Sequence, residues 1–192
     1  EAPVAKFDYS YVCQNATTQF TDSSTHSSVS TITNWKWTFG DGSPPSTTQN
    51  SSNIYSGLGT YNVGFKVTTN QGCSDSISKT IIVNKRPVPS FYNLLSCAGI
   101  PTTFVDQSNA NSASITDWNW NFGGLGSIAG INNPSFKFPS AGDYNVQLTV
   151  TNSNGCREDT TILTTVEVAP IADFSYDSVC GKTPVTFKFL GT

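Results

Sequence analysis

Aromatic and aliphatic residues alternate with polar ones along much of this chain. A period of two is what a strand with one buried face requires. The clearest run is Trp35-Lys36-Trp37-Thr38-Phe39, which puts both Trp and the Phe on one face; Trp118-Asn119-Trp120-Asn121-Phe122 repeats it. A second run, Gly59-Thr60-Tyr61-Asn62-Val63-Gly64-Phe65-Lys66-Val67, gives an inward row of Tyr61, Val63, Phe65 and Val67, and returns as Gly142-Asp143-Tyr144-Asn145-Val146-Gln147-Leu148-Thr149-Val150. Shorter strands are predicted after prolines, at 5–9, 90–92 and 172–176, and around Phe20, Phe104 and Phe187. The turns Asn70-Gln71-Gly72 and Asn152-Ser153-Asn154-Gly155 lead into last strands that run to Val83 and Val168. Some seven short strands per repeat, with turns about every 8–12 residues, predict a seven-stranded antiparallel sandwich of immunoglobulin-like type. A Tyr opening the sixth strand fits a tyrosine corner.

One spacing ties these runs together. Trp35 to Trp118, Trp37 to Trp120, Cys73 to Cys156 and Cys97 to Cys180 are each 83 residues apart, and Cys13 to Cys97 is 84. That period is too long for a solenoid and suits small sandwiches in tandem. The predicted domains are 1–85, 86–169 and, at 170–192, the first strands of a third, incomplete repeat without its Trp-x-Trp segment.

Composition sharpens the all-β prediction. Only 12% of the 192 residues are charged, about half the usual share, and polarity comes from Ser, Thr and Asn, which suit strands better than helices. Net charge is −3 and Lys85-Arg86 is the sole adjacent pair of cations, so no nucleic-acid partner is expected. No apolar run approaches the roughly 18 residues of a membrane span. The opening Glu1-Ala2-Pro3, with neither Met nor a leader, reads as an internal or processed piece of something larger. His26 is the only His and no Cys-x-x-Cys occurs, so zinc has poor material. His26 lies in a polar loop, 23–28, with no orienting third group for a Ser–His pair, and no phosphate-cradling glycine loop exists. No enzyme activity and no cofactor are expected. Five widely spaced Cys in a strand-rich chain point to disulfides and to a secreted or cell-surface location.

Trp37-Thr38-Phe39-Gly40-Asp41-Gly42, followed by Gly59-Thr60-Tyr61 and by Val67-Thr68-Thr69-Asn70 with Gly72-Cys73, resembles the PKD (polycystic kidney disease) domain family. The second repeat departs from the pattern at Phe122-Gly123-Gly124, where Gly replaces the Asp. Cys-bearing, Ser/Thr-rich repeats of this family are similar to those of large Bacteroidota cell-surface proteins, including gliding-motility adhesins, and to those beside catalytic domains in secreted hydrolases. The resemblance implies an adhesive or spacer role, with neighbouring repeats of the same long chain as partners and surface polysaccharide or protein as candidate ligands.

Two disulfide schemes fit the cysteines. Within each repeat the pairs are Cys13–Cys73 and Cys97–Cys156. The alternative joins Cys13, in the loop after the first strand, to Cys156, in the turn after the sixth strand of the next repeat. The first and sixth-strand loops of one sandwich lie at opposite ends, about 20 Å apart, and a disulfide needs Cα atoms within about 7 Å. The junction pairing Cys13–Cys156 is sterically preferred, and the within-repeat scheme stays open.

Other candidates are weaker. Trp35, Trp37, Trp118 and Trp120 suit a sugar-stacking platform but fit a core better. Asp41 is a weak Ca²⁺ candidate, since a turn-forming role explains Gly40-Asp41-Gly42 and the second repeat lacks the Asp. Asp75-Ser76-Ile77 and Asp159-Thr160-Thr161, at equivalent places two residues past Cys73 and three past Cys156, resemble a Bacteroidota O-glycosylation sequon, and Asp177-Ser178-Val179 is a third match, which makes Ser76, Thr160 and Ser178 modification candidates. Asn15-Ala16-Thr17 and Asn50-Ser51-Ser52 fit the N-glycosylation sequon. The segments 43–52 and 124–133 differ most between repeats and are the expected binding loops. No exposed aromatic patch peculiar to one repeat is expected. The three functions that follow are an adhesive or spacer segment of a cell-surface protein, an accessory region of a secreted hydrolase, and a filament or secretion-system component.

Overall fold

The computed structural model describes residues 2–176, 181 and 184–191, and all its regular elements are strands. Ser178 and Cys180 lie outside the described residues. Among the described residues no helix is long and apolar enough to cross a membrane. The chain divides into two compact units. The first comprises Glu1–Pro89, Ser108–Asp117 and Thr149–Asp159, and the second Ser90–Gln107, Trp118–Leu148 and Thr160–Thr192.

In the first unit, β1 (Phe7–Tyr9), β2 (Thr17–Asp22) and β4 (Ser51–Ile54) form one sheet in the order β1-β2-β4. β3 (Ile32–Thr38), β5 (Gly59–Thr69) and β6 (Ser74–Val83) form the other, in the order β3-β5-β6. Their inner faces meet in an aromatic core. Trp37 is fully buried and stacks on Phe65 with ring centroids 3.8 Å apart, while Phe7 and Phe20 approach it from the opposite sheet at 5.2 and 5.8 Å. The inward row of β5 is as its alternation predicts: Val63, Phe65 and Val67 are buried and Tyr61 packs at the margin. Tyr61 Oη donates to the carbonyl of Gly57 at 3.1 Å, closing the expected tyrosine corner.

The second repeat is built alike. It contains β7 (Phe91–Asn93), β8 (Pro101–Asp106), β9 (Ile115–Phe122), β10 (Ser127–Ala129), β11 (Ser135–Lys137), β12 (Gly142–Asn152) and β13 (Arg157–Val166). Its sheets run β11-β8-β7 and β10-β9-β12-β13. In the second unit Trp120 is the buried centre, with Phe91 at 4.9 Å and Phe104 at 5.7 Å. Tyr144 Oη donates to Ser140 O at 3.0 Å as the matching corner. β13 ends at Val166, two residues short of the expected end. The first repeat has six strands rather than seven: where the second has β10, the first keeps only an isolated Trp37–Ser46 bridge. Pro44 and Pro45 precede that bridge; proline lacks the N–H a ladder needs, so pairing cannot extend there. β14 (Phe174–Tyr176) pairs antiparallel with β15 (Phe187–Phe189) in the second unit, in the relation β1 has to β2.

Candidate functional site

After β1 the chain leaves its sheet and runs beside the far end of β6, where Cys13 forms a parallel bridge with Asn84. Cys73 sits at the opposite end of β6, immediately before Ser74. Ten strand residues separate the two positions, roughly 33 Å at the rise of a strand. A Cys13–Cys73 bond is therefore out of reach, and by the same register so is Cys97–Cys156, since Cys97 bridges Glu167 just past the end of β13. Instead Cys13 is bonded to Cys156, with Cα atoms 5.6 Å apart, and Cys73 and Cys97 are thiols. Both bonded cysteines belong to the first compact unit, which takes in the turn 149–159 of the second repeat.

The residues around this bond are shaped to hold it. Asn152, 1% exposed, accepts the backbone N–H groups of Asn154 (3.1 Å) and Cys156 (3.0 Å) through Oδ1 and donates through Nδ2 to Lys85 O (3.1 Å). One amide thus forms the turn and fastens it to the chain that follows β6. Arg86 donates to Arg157 O through Nε (3.2 Å) and Nη2 (3.0 Å), and Nη2 reaches Glu158 Oε2 at 2.6 Å. Gly155 has φ +76, and a Cβ there would run into the ring of Tyr11. Only glycine meets both demands without strain. Asn152, Tyr11 and the Arg86–Glu158 pair carry no signature that marks them in isolation. Opposite charges flanking the preferred cysteine pairing, Arg86 beyond β6 and Glu158 beyond Cys156, are the one signal that could have found them.

Tyr11 is 72% exposed and Tyr9 42%, and they edge an open groove of about 540 Å³ that Thr80, Ile82, Asn84 and Asn154 also line. The matching positions of the second repeat hold Leu95 and Asn93. An aromatic patch peculiar to one repeat therefore exists, contrary to expectation. It escaped the sequence reading because Tyr9 belongs to the alternation of β1 and Tyr11 to an irregular stretch beyond it.

The remaining candidates are placed as follows. Trp37 and Trp120 are core, their Nε1 groups donating to Thr48 O (2.9 Å) and Ile131 O (3.0 Å). Trp35 and Trp118 are half-buried and donate to Asp22 Oδ2 (2.8 Å) and Asp106 Oδ2 (2.7 Å), so none of the four offers a free ring platform. Segments 43–52 and 124–133 supply those carbonyls, and Asn50 and Asn133 accept the N–H of Asp22 and Asp106 at 2.9 Å each. These segments are anchored as parts of the scaffold. Asp41 Oδ1 accepts the N–H of Ser43 (3.0 Å) and its hydroxyl, and Oδ2 accepts Asn53 Nδ2 (2.6 Å). Burial pushes this carboxyl's pKa up, but the Ser43 and Asn53 hydrogen bonds outweigh it and hold the pKa below the usual value. Among the described residues no cluster of three His, Cys, Asp or Glu side chains is suited to a metal ion. Ser76 is exposed on β6, whereas Thr160 is half-buried and shares the register of Ile77, one residue away from that of Ser76.

The sequence matches the PKD domain family model twice, over residues 1–83 and 84–168. Among solved structures it is similar to the PKD1 domain of the Vibrio cholerae metalloprotease PrtV, with 32% identity over 44% of this chain and 99% of that one, at a TM-score of 0.40. The PKD1 domain of Vibrio anguillarum Epp is 26% identical over 44% of this chain and 96% of its own, also at a TM-score of 0.40. The fibronectin(III)-like modules of Clostridium thermocellum CbhA align with 86% of this chain and 95% of theirs at a TM-score of 0.51 and 11% identity, a likeness of fold alone.

Proposed function

The chain belongs to the PKD domain family, and from that premise we propose that it is a non-catalytic extracellular segment of a long cell-surface protein. In this reading it is a spacer or adhesive stalk whose repeats are coupled in series by disulfides. The observation that carries the reading is the Cys13–Cys156 bond. It joins the loop after the first strand of one repeat to the sixth-strand turn of the next, and such bonds persist in oxidising compartments. A stalk transmits force, and the bond shortens what force can draw out. Pulling the oxidised chain from its termini releases no length between Cys13 and Cys156, a separation of 143 residues. Reduction releases that stretch, about 500 Å of extended chain. Single-molecule extension in the two redox states checks this, and equal contour lengths would sink the coupling role. A gliding-motility adhesin is one kind of long surface protein in which such a stalk would serve. Ser76, exposed on a strand, is the residue where O-glycosylation is expected, and intact mass of protein from its native host reads it.

The groove edged by Tyr9 and Tyr11 favours a second reading, in which the segment holds a secreted hydrolase on a polysaccharide. Two tyrosine rings beside Thr80, Asn84 and Asn154 offer stacking and hydrogen bonding to a sugar chain. Retention on polysaccharide gels that Tyr11→Ala abolishes supports this role; equal mobility of the two proteins on every gel removes it.

A further inference from the structure

The bonded cysteines have unbonded counterparts in the same backbone settings. Cys13 and Cys97 each form a parallel bridge to the residue just past the last strand of their repeat, Asn84 and Glu167. Gln14 N donates to Asn84 O and Ala98 N to Glu167 O, both at 2.9 Å. The next N–H in each case also crosses to its own sandwich, Asn15 N to Tyr55 O at 2.9 Å and Gly99 N to Phe138 O at 2.8 Å. The turns match equally. Asn152 N meets Cys156 O and Thr69 N meets Cys73 O, both at 2.9 Å, and Gly155 N and Gly72 N close the turns onto Asn152 O and Thr69 O at 2.8 and 3.0 Å.

The backbones match, while the side chains and their occupancy differ: Thr69 stands at the place of Asn152, and Asp75 at that of Glu158. Cys156 is fully buried and its Gly155 lies under the Tyr11 ring, whereas Cys73 is part-exposed and nothing lies within 4 Å of a Cβ placed on Gly72. Tyr11 covers a turn, while Leu95 in the matching place of the second repeat is 95% exposed beside the Cys97 thiol. Leu95 thus holds the place of Tyr11 with no turn beneath it, beside a free thiol. Gly72 holds the place of Gly155 with nothing above it, beside the free Cys73 thiol.

We propose that Cys97 and Cys73 are the two open halves of the linkage that Cys13 and Cys156 close, each taking the complementary cysteine of a second copy of this repeat. A second copy of the chain supplies both halves, so oxidised chains join head to tail through Cys97–Cys73 bonds. The inference rests on the reading of the repeats as coupled in series and adds which residues continue the coupling. The pairing is heterologous, so it propagates unless a ring closes. The oxidant is a small disulfide such as oxidised glutathione. The Cys97 thiolate attacks one of its sulfurs and expels glutathione thiolate, and the Cys73 thiolate of the second chain then displaces the remaining glutathione. One protein S–S bond forms, one glutathione S–S bond breaks, and two glutathione thiols carry away the two protons.

The test uses the full chain with Cys180→Ser, concentrated in a glutathione redox buffer, resolved on non-reducing gels and mapped by peptide mass spectrometry. Expected are a ladder of linked chains and a Cys73–Cys97 peptide beside the Cys13–Cys156 peptide. Cys73→Ser and Cys97→Ser, both at part-exposed positions, each abolish the ladder. Leu95→Glu, which buries an unpaired charge only in the linked form, lowers the linked fraction roughly ten-fold, and Leu95→Tyr, copying Tyr11, restores or raises it. A Cys13–Cys156 peptide without any Cys73–Cys97 peptide overturns this inference alone, as do Cys73–Cys73 and Cys97–Cys97 peptides in equal yield. Absence of the Cys13–Cys156 peptide itself overturns the series coupling beneath it.

Discussion

At the scale of single residues, the two tryptophans of each pair are alike in sequence and unlike in role. Trp37 fills the core and Trp35 caps its edge with a hydrogen bond to Asp22. Trp37→Ala should cost about 3–5 kcal/mol in denaturant unfolding, and Asp22→Ala about 1–2 kcal/mol through the orphaned indole N–H. Alternation foretold that both rings face inward. The depth of each was not legible, because it depends on where a strand meets the sheet margin, and the partner aspartate lies 13 residues upstream in another sheet. Tyr55 gives a pH signature. Burial pushes its phenol up to about 12 from 10.0. A raised acid of this kind favours the folded state below the unfolded pKa and loses that advantage as pH rises through the folded one. Stability should hold to about pH 10 and then fall by up to about 1.4 kcal/mol per pH unit towards pH 12. Tyr55→Phe should flatten that fall, as read by chemical denaturation across the range. Asp41 acts on the acid side: its lowered pKa means its contribution is present above the usual carboxylate pKa and lost as pH drops through the folded value.

At the scale of elements, the long strands β5 and β12 and the final strands β6 and β13 were the most legible. β6 and β13 share one burial pattern over ten residues. The tyrosine corners were readable too. Tyr61→Phe and Tyr144→Phe should each lower stability by about 1 kcal/mol without moving a strand, with thermal melts and unchanged circular dichroism as the check. The sequon-like triplets misled because they were aligned to one another instead of to the strand. Asp75-Ser76 and Asp159-Thr160 are one residue out of register, and a slip of one turns a side chain to the other face. Segments 43–52 and 124–133 have a shared structural part that their sequences did not reveal. Their sequences differ, but both supply a carbonyl to an indole and an Asn to a strand end.

At the scale of the whole molecule, the compact units do not follow the sequence period. The first unit includes 108–117 and 149–159 from the second repeat, and the disulfide lies within it. Reduction, or Cys156→Ser, should therefore destabilise the first unit by about 2–5 kcal/mol, seen as a lowered first transition in calorimetry. Equal spacing of the cysteines revealed that a pairing existed. The strand order of a sandwich already favoured Cys13–Cys156 over the within-repeat scheme, and the register of the loop after β1 against β6 excludes the latter. The bond also closes a covalent ring running from Cys13 to Cys156. A protease that severs any one peptide bond inside that ring opens it without dividing the molecule. Protein nicked there should run as one band without reductant and as two with it. For a chain exposed to foreign proteases, a single cut across most of the first two repeats would not detach what lies beyond it.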